Sequence, residues 1–343
     1  MSDRLRLPRR RFLGAAGALG GVALLGGSAT ASGQTDDPAG GHGAHQGHGG
    51  GAAHGGLGTV GEVDHERNGF DPHRLLTDFD GGEVSTDSAG RTVREYEFVV
   101  FTKEIEVAPG VVYPAWTYNG RVPGPTIRAV EGDRVRVTLV NGSEHPHTVH
   151  FHGFHPAGMD GVPGAGEAMP GETFVYDFIA EPFGTHLYHC HSLPLREHIA
   201  RGLYGAFIVD PRQGRPPAHE MVFVLNGFDT NFDGENEVYA ANTVAFAYLD
   251  KPIPIGAGEL QRAHVVNITE FDPINSIHLH ANFFRLYRTG TSLTPHEFTD
   301  TISMGQAERH MIEFAYREPG TYMFHAHQTE FSELGWMSAF EVT

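Results

Sequence analysis

Leu187-Tyr188-His189-Cys190-His191 holds the chain's only cysteine between two histidines, and His198 follows a short way on. In an extended strand, residues i and i+2 share a face. His189 and His191 therefore stand side by side, and the Cys190 thiol points the other way, where it can meet His147 and His198. A thiolate with two imidazoles from separate loops is the trigonal donor set of a blue-copper electron-transfer site. The bland alternative is a buried cysteine acting as a small hydrophobe.

Working outward, the pattern multiplies. His147-Thr148-Val149-His150-Phe151-His152-Gly153 lies upstream; Ile277-His278-Leu279-His280 and Phe324-His325-Ala326-His327 lie downstream. One H-x-H pair is a weak signal, more often a polar strand face than a ligand pair. Four pairs in matched order are a different matter, because their eight imidazoles can hold two or three metal ions. The order is a repeat: each half has a Glu-containing strand start (Glu131-Gly132-Asp133; Gly258-Glu259), then H-x-H, then G-T-x-x-x-H-x-H.

Around these motifs run short β-like segments: Glu95 to Phe101, Val111 to Tyr118, Arg134 to Val140, Thr173 to Phe178 and Ala206 to Val209. After a Pro- and Arg-rich linker, Pro211 to Pro217, the pattern restarts with Glu220 to Val224, Ala263 to Ile268 and Met311 to Phe314. Gly and Pro punctuate the runs, and no long stretch keeps a 3.6-residue apolar period. The chain is thus expected to be all-β, two tandem sandwich domains over 67–212 and 213–343.

The amino terminus reads as an address. Arg9-Arg10-Arg11-Phe12-Leu13-Gly14 precedes an apolar, Gly- and Ala-rich run and then Ala29-Thr30-Ala31, an A-x-A cleavage site. This resembles a twin-arginine export signal over 1–31 and implies a periplasmic, extracellular or cell-surface protein; the run is too short and Gly-rich for a membrane anchor. Residues 32–66 are Gly-rich with His42, His45, His48 and His54, a composition that buries no core. It reads as a flexible leader, or as a weak recruiter of metal.

Composition sets outer bounds. Of 343 residues, 40% are hydrophobic, enough for real cores, and one Cys allows no intrachain disulfide. A net charge of −18 argues against binding a phosphate backbone. Twenty-three histidines, against 24 Lys and Arg together, are the anomaly that the motifs explain.

With Trp116-Thr117-Tyr118-Asn119-Gly120-Arg121-Val122-Pro123-Gly124-Pro125-Thr126-Ile127, Glu131-Gly132-Asp133 and the four H-x-H pairs, residues 92–343 resemble the two-domain multicopper oxidases, laccase-like proteins built from Greek-key cupredoxin sandwiches. The resemblance implies about four coppers per chain. His150 and His278 would bind the type 2 ion; His152, His189, His191, His280, His325 and His327 the type 3 pair; His147, Cys190 and His198 the type 1 ion. Ala326 and Asn275 replace a Cys and a His in the second domain, so its type 1 site is dead. Leu203 occupies the axial position in place of Met, which should raise the reduction potential.

The implied activity is electron transfer from a small reducing substrate (a phenol, aromatic amine or metal ion) to dioxygen, relayed by Cys190 after arriving through an exposed edge of His198. Asp160 and Glu330 are candidate proton donors beside the cluster, with a plain turn aspartate and a surface glutamate as their alternatives. Eight unclustered Met residues argue against a Met-rich cuprous-ion platform. The competing readings are a copper nitrite reductase, which has an Asp at the position of His150, and a copper-carrying electron-transfer protein, which leaves eight imidazoles unexplained. Each domain supplies half a cluster, and the resemblance implies a head-to-tail homotrimer with clusters at subunit interfaces. Asp229-Thr230-Asn231-Phe232-Asp233-Gly234-Glu235-Asn236-Glu237 has the alternating oxygens of a calcium loop without flanking helices, and reads equally as a polar turn.

Overall fold

In a computed structural model, residues 57–343 are described; the stretch read above as an export signal and most of the His-rich stretch lie outside them. Strands dominate, and the five α-helical pieces are four to six residues long. Among the described residues no helix is long and apolar enough to cross a membrane.

The alternation that marks a strand with one face on a core is cleanest in Arg134–Asn141, RVRVTLVN, where Val135, Val137 and Leu139 are fully buried between half-exposed neighbours. This strand runs parallel to Thr92–Ala108 and antiparallel to Thr173–Ile179. Glu83–Thr86 and Val111–Tyr118 complete that sheet. The facing sheet orders Phe79–Asp80, Thr126–Val130, Tyr204–Asp210, Gly184–His189 and His150–Phe151. Between the two sheets lies an aromatic-rich core including Phe98, Tyr118, Phe151, Tyr176, Tyr188 and Cys190 itself.

The second sandwich repeats the plan. A six-stranded sheet centred on His219–Phe228, Gln261–Asn267 and Arg309–Phe314 faces a five-stranded one, ordered Ile253–Ile255, Met337–Val342, Gly320–His325, Ile274–Leu279 and Thr301–Gly305. Trp336, Phe324, Phe340 and Ala326 fill its centre. Both sandwiches are mixed rather than purely antiparallel. The architecture is the all-β, two-sandwich one that the strand spacing predicts.

The sandwiches share an apolar seam, with Ile105, Val107 and Leu187 from the first against Val222, Val224 and Phe228 from the second. Beside it runs an ionic chain, part-buried at Arg128 and Asp210 and buried at Arg262 and Glu313. Arg128 pairs with Asp210 and with Glu220, both at 2.7 Å, and Arg262 with Glu220 and Glu313, both at 2.8 Å. Carboxylates on both sides of each guanidinium supply the pairing that buried charge requires. Seam and chain together fix one sandwich against the other.

Candidate metal centre

Three segments converge on Cys190. Strand Gly184–His189, buried throughout, delivers it. The helix Leu195–Ala200 then turns back so that His198, Ile199 and Ala200 form its buried face. Gly202, at φ +115°, makes the exit possible: a Cβ there would lie 2.6 Å from Val122 Cγ2. His147 comes from a loop pinned by reciprocal backbone bonds with Ala168 at 3.0 and 2.9 Å.

The result is a compact donor set. Cys190 Sγ lies 3.7 Å from His147 Nδ1 and 3.2 Å from His198 Nδ1, with all three residues at most 1% exposed. The Thr148 backbone N–H donates to Sγ at 3.3 Å. Burial pushes the His147 imidazole down to about 3 and His198 to about 4, with neighbouring histidine charge adding to the effect. Both rings are therefore neutral at neutral pH, with lone pairs free for a metal. Burial also pushes the Cys190 thiol up; a cation between the three atoms removes that penalty. One soft thiolate and two imidazoles fit copper. Leu203 is fully buried in the same core as Cys190, and its carbonyl accepts from the Cys190 N–H at 2.9 Å.

The four H-x-H pairs form two tetrads with matching construction. Each pair straddles or abuts a strand end: His150, His189, His278 and His325 are in strands, and their partners lie just beyond. His150 faces His189 across one antiparallel pair, and His278 faces His325 across the equivalent pair. In the first tetrad His152 Nε2 and His189 Nε2 are 3.0 Å apart; in the second His280 Nε2 and His325 Nε2 are 2.8 Å apart. The last histidine of each set is anchored identically, His191 N–H to Thr148 Oγ1 and His327 N–H to Ser276 Oγ, both at 2.7 Å. Burial pushes His152 down to about 3 and His189 to about 4, and lowers His150, His280 and His325 as well. Clustered imidazoles, five of them held toward the neutral form by burial, are a metal-binding arrangement. Ring contacts join the four histidines within each set, and among the described residues none runs from one set to the other.

In the second sandwich, the place equivalent to the Cys190 centre is apolar. Ala326 is fully buried against Trp336 and Phe324, and Asn275 spends its amide on Thr269 Oγ1 at 2.9 Å.

The two carboxylates expected near the cluster differ. Asp160 sits beside the first tetrad: its carbonyl accepts from His150 Nδ1 at 2.6 Å, and Oδ1 is 3.2 Å from that atom and 3.3 Å from His155 Nε2. His155 has no H-x-H partner, so spacing gave no sign of it. Glu330 is exposed on the helix Thr329–Glu333, and its charge helps to raise the Tyr239 hydroxyl. The loop Asp229 to Glu237 brings the carboxylates of Asp229, Asp233 and Glu237 within 4.8 Å of one another. One expectation is overturned. His198 has no exposed edge, because the Trp116 indole packs against it at 4.8 Å and leaves it 1% exposed.

Comparison with known proteins agrees with this construction. Sequence profiles of multicopper oxidase domains match residues 100–214 and 215–343. A crystal structure of a multicopper oxidase superimposes with a TM-score of 0.81 at 54% identity, covering 82% of this chain and 100% of the other. The blue copper oxidase of Nitrosomonas europaea superimposes with a TM-score of 0.65 at 29% identity, covering 73% of this chain and 86% of the other. The copper-containing nitrite reductase of Neisseria meningitidis serogroup A is 31% identical over 246 residues, 64% of this chain; the match spans 61% of the length of that relative. Two adjoining profile matches and two like-built sandwiches make the chain a member of the multicopper oxidase family, of the two-domain cupredoxin kind.

Proposed function

We propose that the chain is a laccase-like oxidase, which takes single electrons from a small reducing substrate and passes four of them to dioxygen, giving two waters. The observation that carries this reading is the pair of histidine tetrads, eight imidazoles beyond the Cys190 centre. An electron carrier has no use for them. Copper bound at these residues would supply the one-electron chemistry and the affinity for dioxygen. His147, Cys190 and His198 would hold the type 1 ion; His150 and His278 the type 2 ion; His152, His189, His191, His280, His325 and His327 the type 3 pair.

The protein itself supplies connection, protons and assembly. Cys190 is bonded through the backbone to His189 and His191, which joins the two centres covalently. Asp160, against His150 and His155, holds an acidic group where protons are consumed. Among the described residues no ring contact links the two tetrads, which supports a complete cluster built from the first sandwich of one subunit and the second of its neighbour, in a closed ring of three. Export by the twin-arginine route, with domains over 67–212 and 213–343, completes the reading.

A second reading, copper nitrite reduction, is favoured by the likeness to the Neisseria enzyme. Against it stands His150, where that class has an Asp. Copper analysis with optical and EPR spectra separates them: about four coppers per chain and donor-dependent oxygen uptake are expected. About two coppers, with nitric oxide formed from nitrite, would replace the oxidase by the reductase.

A further inference from the structure

A type 1 centre with no ligand at the surface needs another way in for electrons. Cys190 and His147 are fully buried and His198 is 1% exposed. Trp116, 8% exposed, packs against both imidazole ligands and also against the exposed His145. Its indole lies 4.8 Å from the His198 ring at 69° and 5.4 Å from the His147 ring at 75°. The exposed His145 ring lies 4.8 Å from the same indole, tilted by 32°. The Trp116 backbone N–H donates to the Arg201 carbonyl at 2.9 Å, which ties strand Val111–Tyr118 to the turn after the His198 helix. The Arg201 guanidinium stands 5.8 Å over the indole.

We propose that electrons reach the type 1 centre through the indole of Trp116, and that the exposed His145 is the surface on which the donor docks. The inference rests on the oxidase reading. Electronic coupling decays steeply with distance through space, so a π-system packed against both imidazoles and against an exposed ring is a short bridge from the surface. Arg201 sets how it works: a cation over the ring disfavours an oxidised indole, so Trp116 serves as a bridge and not as a store. One electron leaves the donor for each copper(II) that becomes copper(I). The indole ends unchanged, and a phenolic donor releases its own proton to water.

The test is anaerobic stopped-flow reduction of the copper-loaded chain, read as loss of blue absorption. Ferrocyanide is the anionic donor and N,N-dimethyl-p-phenylenediamine, protonated in mildly acidic buffer, the cationic one. EPR of the resting centre and reoxidation by dioxygen are recorded on the same samples. Trp116→Leu should slow reduction by both donors at least about tenfold, while the blue band and reoxidation stay as they were. At low ionic strength, His145→Lys should speed ferrocyanide and His145→Glu slow it, each by about threefold, with the order reversed for the cation. If Trp116→Leu loses its blue band, the His145 pair decides alone. Reduction of an intact blue Trp116→Leu variant within about twofold of the parent overturns the inference, as do His145 charge variants with equal rates. A parent chain that binds copper without any blue band overturns the oxidase reading too.

Discussion

The Cys190 carbonyl accepts a hydrogen bond from His189 Nδ1 at 2.8 Å, while its Sγ points away to His198 Nδ1 at 3.2 Å. One residue thus serves both centres. The bond to the carbonyl occupies His189 Nδ1 and leaves Nε2 to face the tetrad, 3.0 Å from His152 Nε2. The second sandwich makes the same bond without a thiol, from His325 Nδ1 to the Ala326 carbonyl at 2.5 Å. The tetrads therefore depend on the backbone at this position and not on sulfur.

Cys190→Ser tests that separation. The backbone bond survives the change, so the tetrad histidines keep their orientation, their copper and the type 2 EPR signal. The intense blue absorption and oxidase turnover should both vanish, with the melting temperature little changed. A variant that stays blue would remove Cys190 from the type 1 centre.

Leu203→Met concerns the axial side of the same centre. Leu203 is fully buried, packs in the same core as Cys190 and offers no donor atom. A thioether there should donate to copper(II) and lower the type 1 potential. Redox titration of the blue band measures it; an unmoved potential would mean that the axial position belongs to another residue.

Much of this was legible in the sequence because strands impose a period of two. The alternation RVRVTLVN marks its own buried face, and H-C-H puts the thiol opposite the imidazoles before any coordinates exist. What stayed hidden depends on contacts between distant segments. Trp116 covers His198 from 82 positions away, and nothing local to His198 signals that cover, so the exposed edge expected there was wrong. His155 joins Asp160 through a turn that has no periodic signature. The chain Arg128–Glu220–Arg262–Glu313 links strands of both sandwiches, and isolated charges in a sequence do not announce their partners.

Stability should fall with acid earlier than carboxylates alone would cause. Burial pushes His186 down to about 3 and His310 to about 4, and each has one ring nitrogen buried without a partner. Unfolded, both titrate near 6.5, so below that pH the unfolded chain binds protons that the folded chain refuses. The stability they contribute is complete above pH ~6.5 and is lost as pH falls toward ~4 for His310 and ~3 for His186, on the order of 2 kcal/mol for each. Neither is a candidate ligand, so this share persists with copper bound. Melting temperature against pH should drop across that window, and His310→Gln should flatten the drop. A flat profile between pH ~6.5 and ~4 would contradict it.

Asp160→Asn keeps the shape beside His150 and removes the acid. Reduction of the type 1 centre should be unaffected, while reoxidation by dioxygen slows at least about tenfold, a lower bound set beneath the ~10²–10⁴ that a positioned proton donor usually contributes. The loss should deepen as pH rises and solvent protons become scarce. Equal reoxidation rates in the variant and its parent would leave Asp160 as a turn residue.

The last prediction concerns assembly. His150→Ala disables the first tetrad and His278→Ala the second, so a ring made wholly of either variant has no complete cluster. In a head-to-tail ring each cluster combines the first sandwich of one subunit with the second of the next. A mixed ring of three, whichever variant is in excess, contains one junction where an intact first sandwich meets an intact second one. Random mixing at equal amounts makes three quarters of the rings mixed, each with one working junction in three, and so predicts about a quarter of parental activity. Co-expression with two different tags and purification on both isolates the mixed rings, whose activity should approach about a third of the parent's. Clusters formed within single chains would leave every ring inactive, and a copper-replete, fully active monomer in light scattering would rule out the shared junction outright.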